Sequence, residues 1–357
     1  MTSYADRRSA AGAALPDDVD ALLVSLVVNV RYLTGFTGSN AALLVRPDGS
    51  ATFATDGRYL TQAAEEVPDL ECVDARSSAA ALVGRAAADG AHRLGIERSA
   101  VTLAEAEQFR AAADGRLDLV ETESVVERLR AVKDEAEIEH LQRACAITDA
   151  AFAAVLGRLR PGVTEREIAW FLHGCMRENG ADGLAFDTIV AFGSHSAIPH
   201  HRPTDRALEA GDLVKLDFGA RSGGYHADMT RTVVVGPAAD WQRELHASVQ
   251  AIQAECRAAA VAGASPRELD GLARSGIEAA GSHAAHGLGH GVGLEVHELP
   301  FLSASSHDTP LVDRTAVTIE PGIYLPGRGG VRIEDSIVID GAAPRSLTAS
   351  DRSLLEC

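Results

Sequence analysis

Leu216–Thr232 reads LDFGARSGGYHADMTRT. Two short strand-like arms flank Ser222-Gly223-Gly224, the residue types that turn a hairpin. Asp217 and Asp228 stand one on each arm. A carboxylate inside an apolar strand is costly to bury unless it is paired or holds a cation. Opposite arms of one hairpin can bring both carboxylates to one place, where like charges need a cation between them. Taken alone, the pair is better read blandly, with one Asp capping the turn and the other facing solvent, the common fate of charged side chains.

Working outward, His286–Pro300 reads HGLGHGVGLEVHELP, with His286, His290 and His297 close together. A zincin helix with two histidines one turn apart fails here, because Gly287, Gly289, Gly291 and Gly293 disfavour a helix and no Glu follows the first His. Alternating glycines instead suggest backbone held close to something bound. Glu320 ends an apolar run in TIEPGIYLPG, and Glu334 lies inside GGVRIEDSIVI beside Arg332. Ile198-Pro199-His200-His201 adds a loop histidine. Each is unremarkable alone. Together Asp217, Asp228, His290, Glu320 and Glu334 make four carboxylates and one imidazole, whose charge balances two divalent cations. Paired metals about 3.5–4 Å apart are a known hydrolytic device. Oxygen-rich ligation without thiolate favours Mn²⁺, with Co²⁺, Fe²⁺ or Zn²⁺ as alternatives.

Composition narrows the classes. The net charge is −18 and aromatics make up 4% of the 357 residues, which argues against nucleic acid as a partner and against an anionic membrane surface. Of the 33 basic residues only Lys133 and Lys215 are lysine, which reads as codon bias in a GC-rich genome. The five cysteines (Cys72, Cys145, Cys175, Cys256, Cys357) are scattered and form no C-x-x-C, so a reducing compartment fits. The first residues lack the apolar core of a secretory signal, and Ala21–Val30 is too short to span a bilayer. A cytoplasmic protein is expected.

The pattern predicts an α+β protein of two domains, 1–122 and 123–357. In the first, residues 21–30 read as a strand, TGFTGSN as a loop, and Pro47-Asp48-Gly49 as a hairpin turn. Thr102-x-x-Glu105 opens a helix that Gly115 ends. In the second, a helical tract runs from the Ser124-x-x-Glu127 box to Arg160, with a break near Lys133-Asp134, before Pro161-Gly162. Further helices are expected from Thr164 to Gly180, over 240–260, and from Ser265 to Gly281. Strands are expected at Leu213–Phe218, Thr230–Val235, Ala316–Ile319 and Val331–Ile339, with antiparallel pairing.

The ordered set LDFGA, ADMTRT, HGLGHGVGLEVHE, TIEPGIY and GVRIED resembles the dinuclear M24 metallopeptidases of the pita-bread fold, in their Xaa-Pro branch of aminopeptidase P and prolidase. NVRYLTGFTGSNAALLV and TDGRYLTQA are similar to that branch's creatinase-type N-terminal domain. The resemblance implies a small α/β first domain and a pita-bread catalytic domain. It implies that Asp217 binds one metal, His290 and Glu320 the other, and that Asp228 and Glu334 bridge. By the same likeness His200, His286 and His297 are accessory catalytic histidines, His286 and Arg332 touch substrate, and Glu320 moves the proton. Proline-containing peptides are the implied partners, and a homodimer the implied assembly. The loop Leu325–Gly330 reads as small and open, which leans toward aminopeptidase P; Arg31, Arg58 or Arg328 could instead clamp a dipeptide carboxylate, as a prolidase requires. A methionine aminopeptidase is disfavoured by the first domain, a creatinase-like hydrolase by the metal set, and a non-catalytic peptide-binding protein by the complete ligand set.

Overall fold

The computed structural model describes residues 2–357. They form two compact units, one ending at Arg130 and the other spanning Ala131–Cys357. The first unit is a six-stranded sheet of β1 (Ala21–Val24), β2 (Ala41–Val45), β3 (Ala51–Thr55), β4 (Glu71–Asp74), β5 (Arg93–Glu97) and β6 (Asp118–Thr122), in the order 4-3-2-1-5-6. Its helices are α1 (Tyr4–Ala13), α2 (Val27–Thr34), α3 (Leu60–Glu66), α4 (Ser78–Ala88), α5 (Leu103–Ala113) and α6 (Val125–Ala131). The turn between β2 and β3 is the expected one: Asp48 Oδ1 accepts from the Ser50 amide at 2.9 Å, and Gly49 has φ 82°.

Residues 21–30 are not one strand. The strand stops at Val24 because the next two amides, Ser25 and Leu26, donate to the buried Glu97 carboxylate at 2.6 and 2.8 Å, and α2 follows. A left-handed Gly35 (φ 82°) ends that helix. The division between units falls after Arg130, beyond the expected 122/123 boundary. Helix α6 stays with the first unit because Asn29 donates to Glu127 at 2.9 Å and accepts from Arg130 at 2.8 Å. The helical tract over 124–160 is therefore two helices, α6 and α7 (Glu135–Leu156). Asp134 caps the second, exchanging hydrogen bonds of 2.9 Å with Glu137.

In the second unit α7 and α8 (Glu165–Glu178) cover one face of a three-stranded sheet. That sheet takes β8 (Ile189–Phe192) and β9 (Leu213–Phe218), after the short β7 (Gly183–Leu184), and β12 (Met229–Val234). Between β9 and β12 the chain folds back through β10 (Ala220–Ser222) and β11 (Tyr225–His226). Helices α9 (Asp240–Ala259) and α10 (Pro266–Ala279) cover a second sheet. Its strands are β13 (Gly289–Gly291), β14 (Glu298–Leu302), β15 (Ala316–Ile319), β18 (Asp335–Val338) and β19 (Arg345–Ser346). β16 (Gly322–Leu325) and β17 (Gly329–Arg332) form a hairpin of their own. Every strand pairing in this unit is antiparallel.

Alternation positions the chemistry. Val214, Leu216, Phe218, Met229 and Val233 pack with Phe152, Ile168 and Leu172 in the core under α7 and α8. The other face of the same strands presents Lys215 opposite Thr232 and Asp217 opposite Thr230. The expected strand Val331–Ile339 is two strands, β17 and β18, with Ile333 and Glu334 between them. The interruption has a cause: the Glu334 amide leaves its own sheet and donates to Thr230 O of β12 at 3.1 Å, while Arg231 Nη1 donates to Glu334 O at 2.5 Å. Among the described residues no helix is long and apolar enough to cross a membrane.

Candidate active site

The hairpin β9–β12 brings Asp217 and Asp228 together with Glu334; one carboxylate oxygen of each lies within 4.8 Å of the others. His290, Glu320 and Glu334 form a second such group, and Asp228, His290 and His297 a third. Glu334, Asp228 and His290 thus each belong to two groups. Glu320 follows β15, its amide donating to Leu288 O at 2.8 Å, and this sets its side chain beside His290. His290 sits on β13 between glycines. A Cβ on Gly289 would lie 2.1 Å from Thr318 O, and one on Gly291 would lie 2.2 Å from Leu299 O. The glycines therefore serve close approach of strand to strand, not of backbone to a ligand as their alternation suggests.

The cluster carries an electrical imbalance. Burial pushes the Asp228 carboxyl well above its usual range, and the neighbouring Glu334 and Asp217 push the same way. Glu334 is likewise raised, first by burial and then by Glu320 and Asp217. Glu320 is held at about 2 despite its burial, because His290 donates to it and charges it. Burial opposes a charged His290, but Glu320 outweighs that and raises its pKa. A proton there is the smallest cation the cluster can attract. Asp217 Oδ1 is buried with no hydrogen-bond partner. His290 Nδ1 faces Gly291 O at 3.1 Å, a carbonyl that can only accept, so the proton that a cation would displace is the one Nε2 gives Glu320 (3.2 Å), and its loss frees a lone pair that also faces Asp228 (3.6 Å). Convergent lone pairs, an orphaned carboxylate oxygen and four carboxylates fit divalent cations.

Arg332 partly offsets this charge. It is 2% exposed and donates to Asp217 Oδ2, to Thr230 Oγ1 at 3.0 Å, to Pro199 O at 3.2 Å and to the Tyr324 hydroxyl at 2.7 Å. The sequence reading places Arg332 on substrate; the structure places it behind a candidate metal ligand, with no face open. The Tyr324 hydroxyl in turn donates to His286 Nε2 at 2.8 Å, and His286 Nδ1 faces Gly287 O at 2.8 Å. Both nitrogens of His286 are thus engaged within the fold, and burial keeps the ring neutral by lowering its pKa. His200 and His297 are exposed. The His297 ring meets that of His290 edge-on, with centroids 4.3 Å apart. Leu325–Gly330 is the closed end of the β16–β17 hairpin, and Arg328 lies over the Trp241 ring at 4.1 Å. In the first unit Arg58 is paired with Asp56 through two contacts of 2.8 Å.

Two features escaped the sequence reading. Glu165, 0% exposed at the start of α8, gathers His195 (2.9 Å) and His201 (2.8 Å). Lys215, also 0% exposed, donates to Ile198 O at 2.6 Å and Pro199 O at 3.1 Å. Burial, and then Arg332, push its pKa down to about 6. The Thr164 box announces the helix but not the fate of its first residue. An isolated lysine in an apolar strand was the available signal for the other.

The family model of metallopeptidase family M24 matches residues 139–341, which include all five residues of the cluster. The chain belongs to metallopeptidase family M24. Residues 13–132 of this M24 peptidase, nearly all of them in the first unit, match the creatinase/prolidase N-terminal domain. The chain is 36% identical over 349 residues to an Xaa-Pro dipeptidase of Pyrococcus furiosus, covering 95% of this chain and 96% of that one. The structure of an Xaa-Pro dipeptidase from Bacillus anthracis superposes with a TM-score of 0.94 at 36% identity, covering 99% and 100% of the two chains. That of an X-Pro aminopeptidase from Thermotoga maritima gives 0.86 at 36% identity, covering 95% and 98%. The pita-bread architecture and the N-terminal domain expected for an M24 peptidase are both present.

Proposed function

We propose that this M24 peptidase is an Xaa-Pro dipeptidase that works with two divalent ions. The observation that carries the reading is the end-to-end likeness to named Xaa-Pro dipeptidases in a chain whose five-residue cluster is complete. This departs from the sequence's lean toward aminopeptidase P; Leu325–Gly330, read there as an open loop, is the end of the β16–β17 hairpin.

Asp217, Asp228, His290, Glu320 and Glu334 are the residues that would hold the ions, with Mn²⁺ the expected metal. When bound, such a pair supplies Lewis acidity that makes hydroxide available near neutral pH. Glu320 is the carboxylate suited to move a proton. Its side chain is 16% exposed where those of Asp217 and Asp228 are 8% and 7%, so it is more open than they are to a water held at the cluster. It would deliver that proton to the proline nitrogen as the bond breaks. His200 and His297, exposed beside the cluster, would orient the scissile carbonyl and steady the developing negative charge. His286 and Arg332 would act through Tyr324 and Asp217, fixing the angle of a ligand. A bond to proline has no N–H, so recognition has to come from such a pocket and not from strand-like hydrogen bonding.

The aminopeptidase reading is kept alive by one pair of observations: the equal identity to the Thermotoga enzyme, and the parking of Arg328 on Trp241, away from any carboxylate. The deciding experiment compares Ala-Pro with Ala-Pro-Ala in Mn²⁺. A dipeptidase holds the terminal carboxylate with a charge-assisted bond and rejects the longer chain. The kcat/KM ratio of tripeptide to dipeptide is expected well below one. A ratio of one or more would make the enzyme an aminopeptidase.

A further inference from the structure

The two lysines of this arginine-rich chain are both buried, Lys215 at 0% and Lys133 at 1%. A scarcity of lysine does not by itself say where lysine survives. A lysine that arginine can replace should have drifted to arginine on the surface. The two that remain stand where a compact point donor fits and a planar fork does not.

Each of them ends next to one of the two exposed histidines of the candidate site, His200 and His297. Lys215 Nζ reaches the carbonyls of Ile198 and Pro199, the last two before His200. Those carbonyls turn inward from a loop and need donors; Arg332 supplies another, to Pro199 O at 3.2 Å. Lys133 Nζ lies 2.7 Å from Glu298 Oε1, in the residue after His297. The other oxygen of Glu298 accepts from the Glu295 amide at 3.3 Å, closing the turn from which His297 projects. Lys133 is itself fixed, its amide donating to Arg314 O at 2.9 Å. Neither lysine has surface through which a substrate could touch it.

We infer that Lys215 and Lys133 are a pair of positioning residues, Lys215 holding the main chain in front of His200 and Lys133, through Glu298, holding the turn that carries His297. This rests on the proposed role of His200 and His297 in orienting substrate. The two arms are independent, so each lysine answers to its own histidine and not to the other.

Double-mutant cycles read that specificity directly. Lys215→Met is expected to lower kcat/KM on Ala-Pro about tenfold, with metal content unchanged. In a His200→Ala background the further loss should shrink below about twofold, while in a His297→Ala background it persists in full. Lys133→Met should show the mirror pattern. Lys215→Arg should not rescue, although it keeps a cation. Losses that are equal in both backgrounds, or a Lys215→Arg enzyme like wild type, would overturn the inference. Amide hydrogen exchange on the full chain gives a second readout that needs no activity. Lys215→Met should speed exchange about tenfold or more over residues 194–201 and leave 294–298 alone, and Glu298→Gln, a milder change, should do the reverse. Uniform or absent changes would again overturn it. A wild-type enzyme inactive on both Ala-Pro and Ala-Pro-Ala would instead sink the proposed function, and the exchange data would still decide the positioning.

Discussion

Two clusters of histidine and carboxylate lie in the second unit, and they are opposites. In the first, a single carboxylate, Glu165, meets five donors: His195 and the Phe192 amide on one oxygen, and His201 with the amide and hydroxyl of Thr204 on the other. A carboxylate offers about four lone-pair sites, so none is left for a cation. In the second, Asp217, Asp228, Glu320 and Glu334, with about sixteen lone-pair sites between them, face the imidazoles of His290 and His297, the Arg332 guanidinium and the hydroxyls of Thr230 and Thr318, and Asp217 Oδ1 has no hydrogen-bond partner. Both clusters contain metal-ligating residue types within 4.8 Å. The count of donors against lone pairs separates a closed structural knot from a site that demands ions.

The largest effect should come from the open cluster. Asp228→Asn is expected to lose metal and activity together, with kcat/KM down roughly a thousandfold, since several kcal/mol of transition-state stabilisation depend on the ions. Chelation should do the same, and Mn²⁺ or Co²⁺ should restore turnover. Full activity in protein shown by elemental analysis to be metal-free would erase the distinction between the clusters. Next, His297→Ala should keep its metal and lose about a hundredfold in kcat/KM. Metal loss equal to that of Asp228→Asn would move His297 into the ligand set, where its grouping with Asp228 and His290 allows it.

The closed cluster should behave differently. Glu165→Gln is expected to leave metal content unchanged and to cost about 1–3 kcal/mol of stability. Burial alone would raise the Glu165 pKa, but Thr204, His201 and the Phe192 amide outweigh it and hold it below 4.5. A depressed carboxylate stabilises the fold above its unfolded pKa, and that gain is lost as pH falls through the folded value. The difference in Tm between wild type and Glu165→Gln should therefore be constant above about pH 5 and shrink below 4.5. A gap that grows on acidification would show the sign to be wrong. Smallest of all, Tyr324→Phe removes one hydroxyl shared by Arg332 and His286, and should cost about 1 kcal/mol or a few-fold in kcat. No change in either would mean that the Arg332–Asp217 contact stands without it.

The open cluster is legible in the sequence because three of its residues sit where their type is unusual and the whole set reads as four carboxylates with one imidazole. Asp217 interrupts an apolar strand, His290 sits among glycines that forbid a helix, and Glu334 lies in a run of β-formers. The closed cluster breaks no rule: Glu165 is an ordinary acidic residue in the first turn of a helix, and its burial follows only from where the His195–Thr204 loop comes to rest. Residues 21–30 read as one strand for a similar reason. Their apolar run is continuous, and what breaks it is a carboxylate, Glu97, that is remote in sequence. Ser222-Gly223-Gly224 and Pro47-Asp48-Gly49 were read correctly because turn chemistry is local. At Leu325–Gly330 the glycines end the β16–β17 pairing, a role that the local sequence does not distinguish from an open loop.

The strand that carries His290 has a consequence for heredity. Any base change that replaces a glycine with another amino acid adds at least a Cβ, and at positions 289 and 291 that atom would lie 2.1 and 2.2 Å from backbone oxygens that cannot move aside. No side chain is small enough to serve as a stepping stone. The histidine is thus walled in genetically as well as sterically: a library with random codons at both positions, selected for hydrolysis, should return glycine at each.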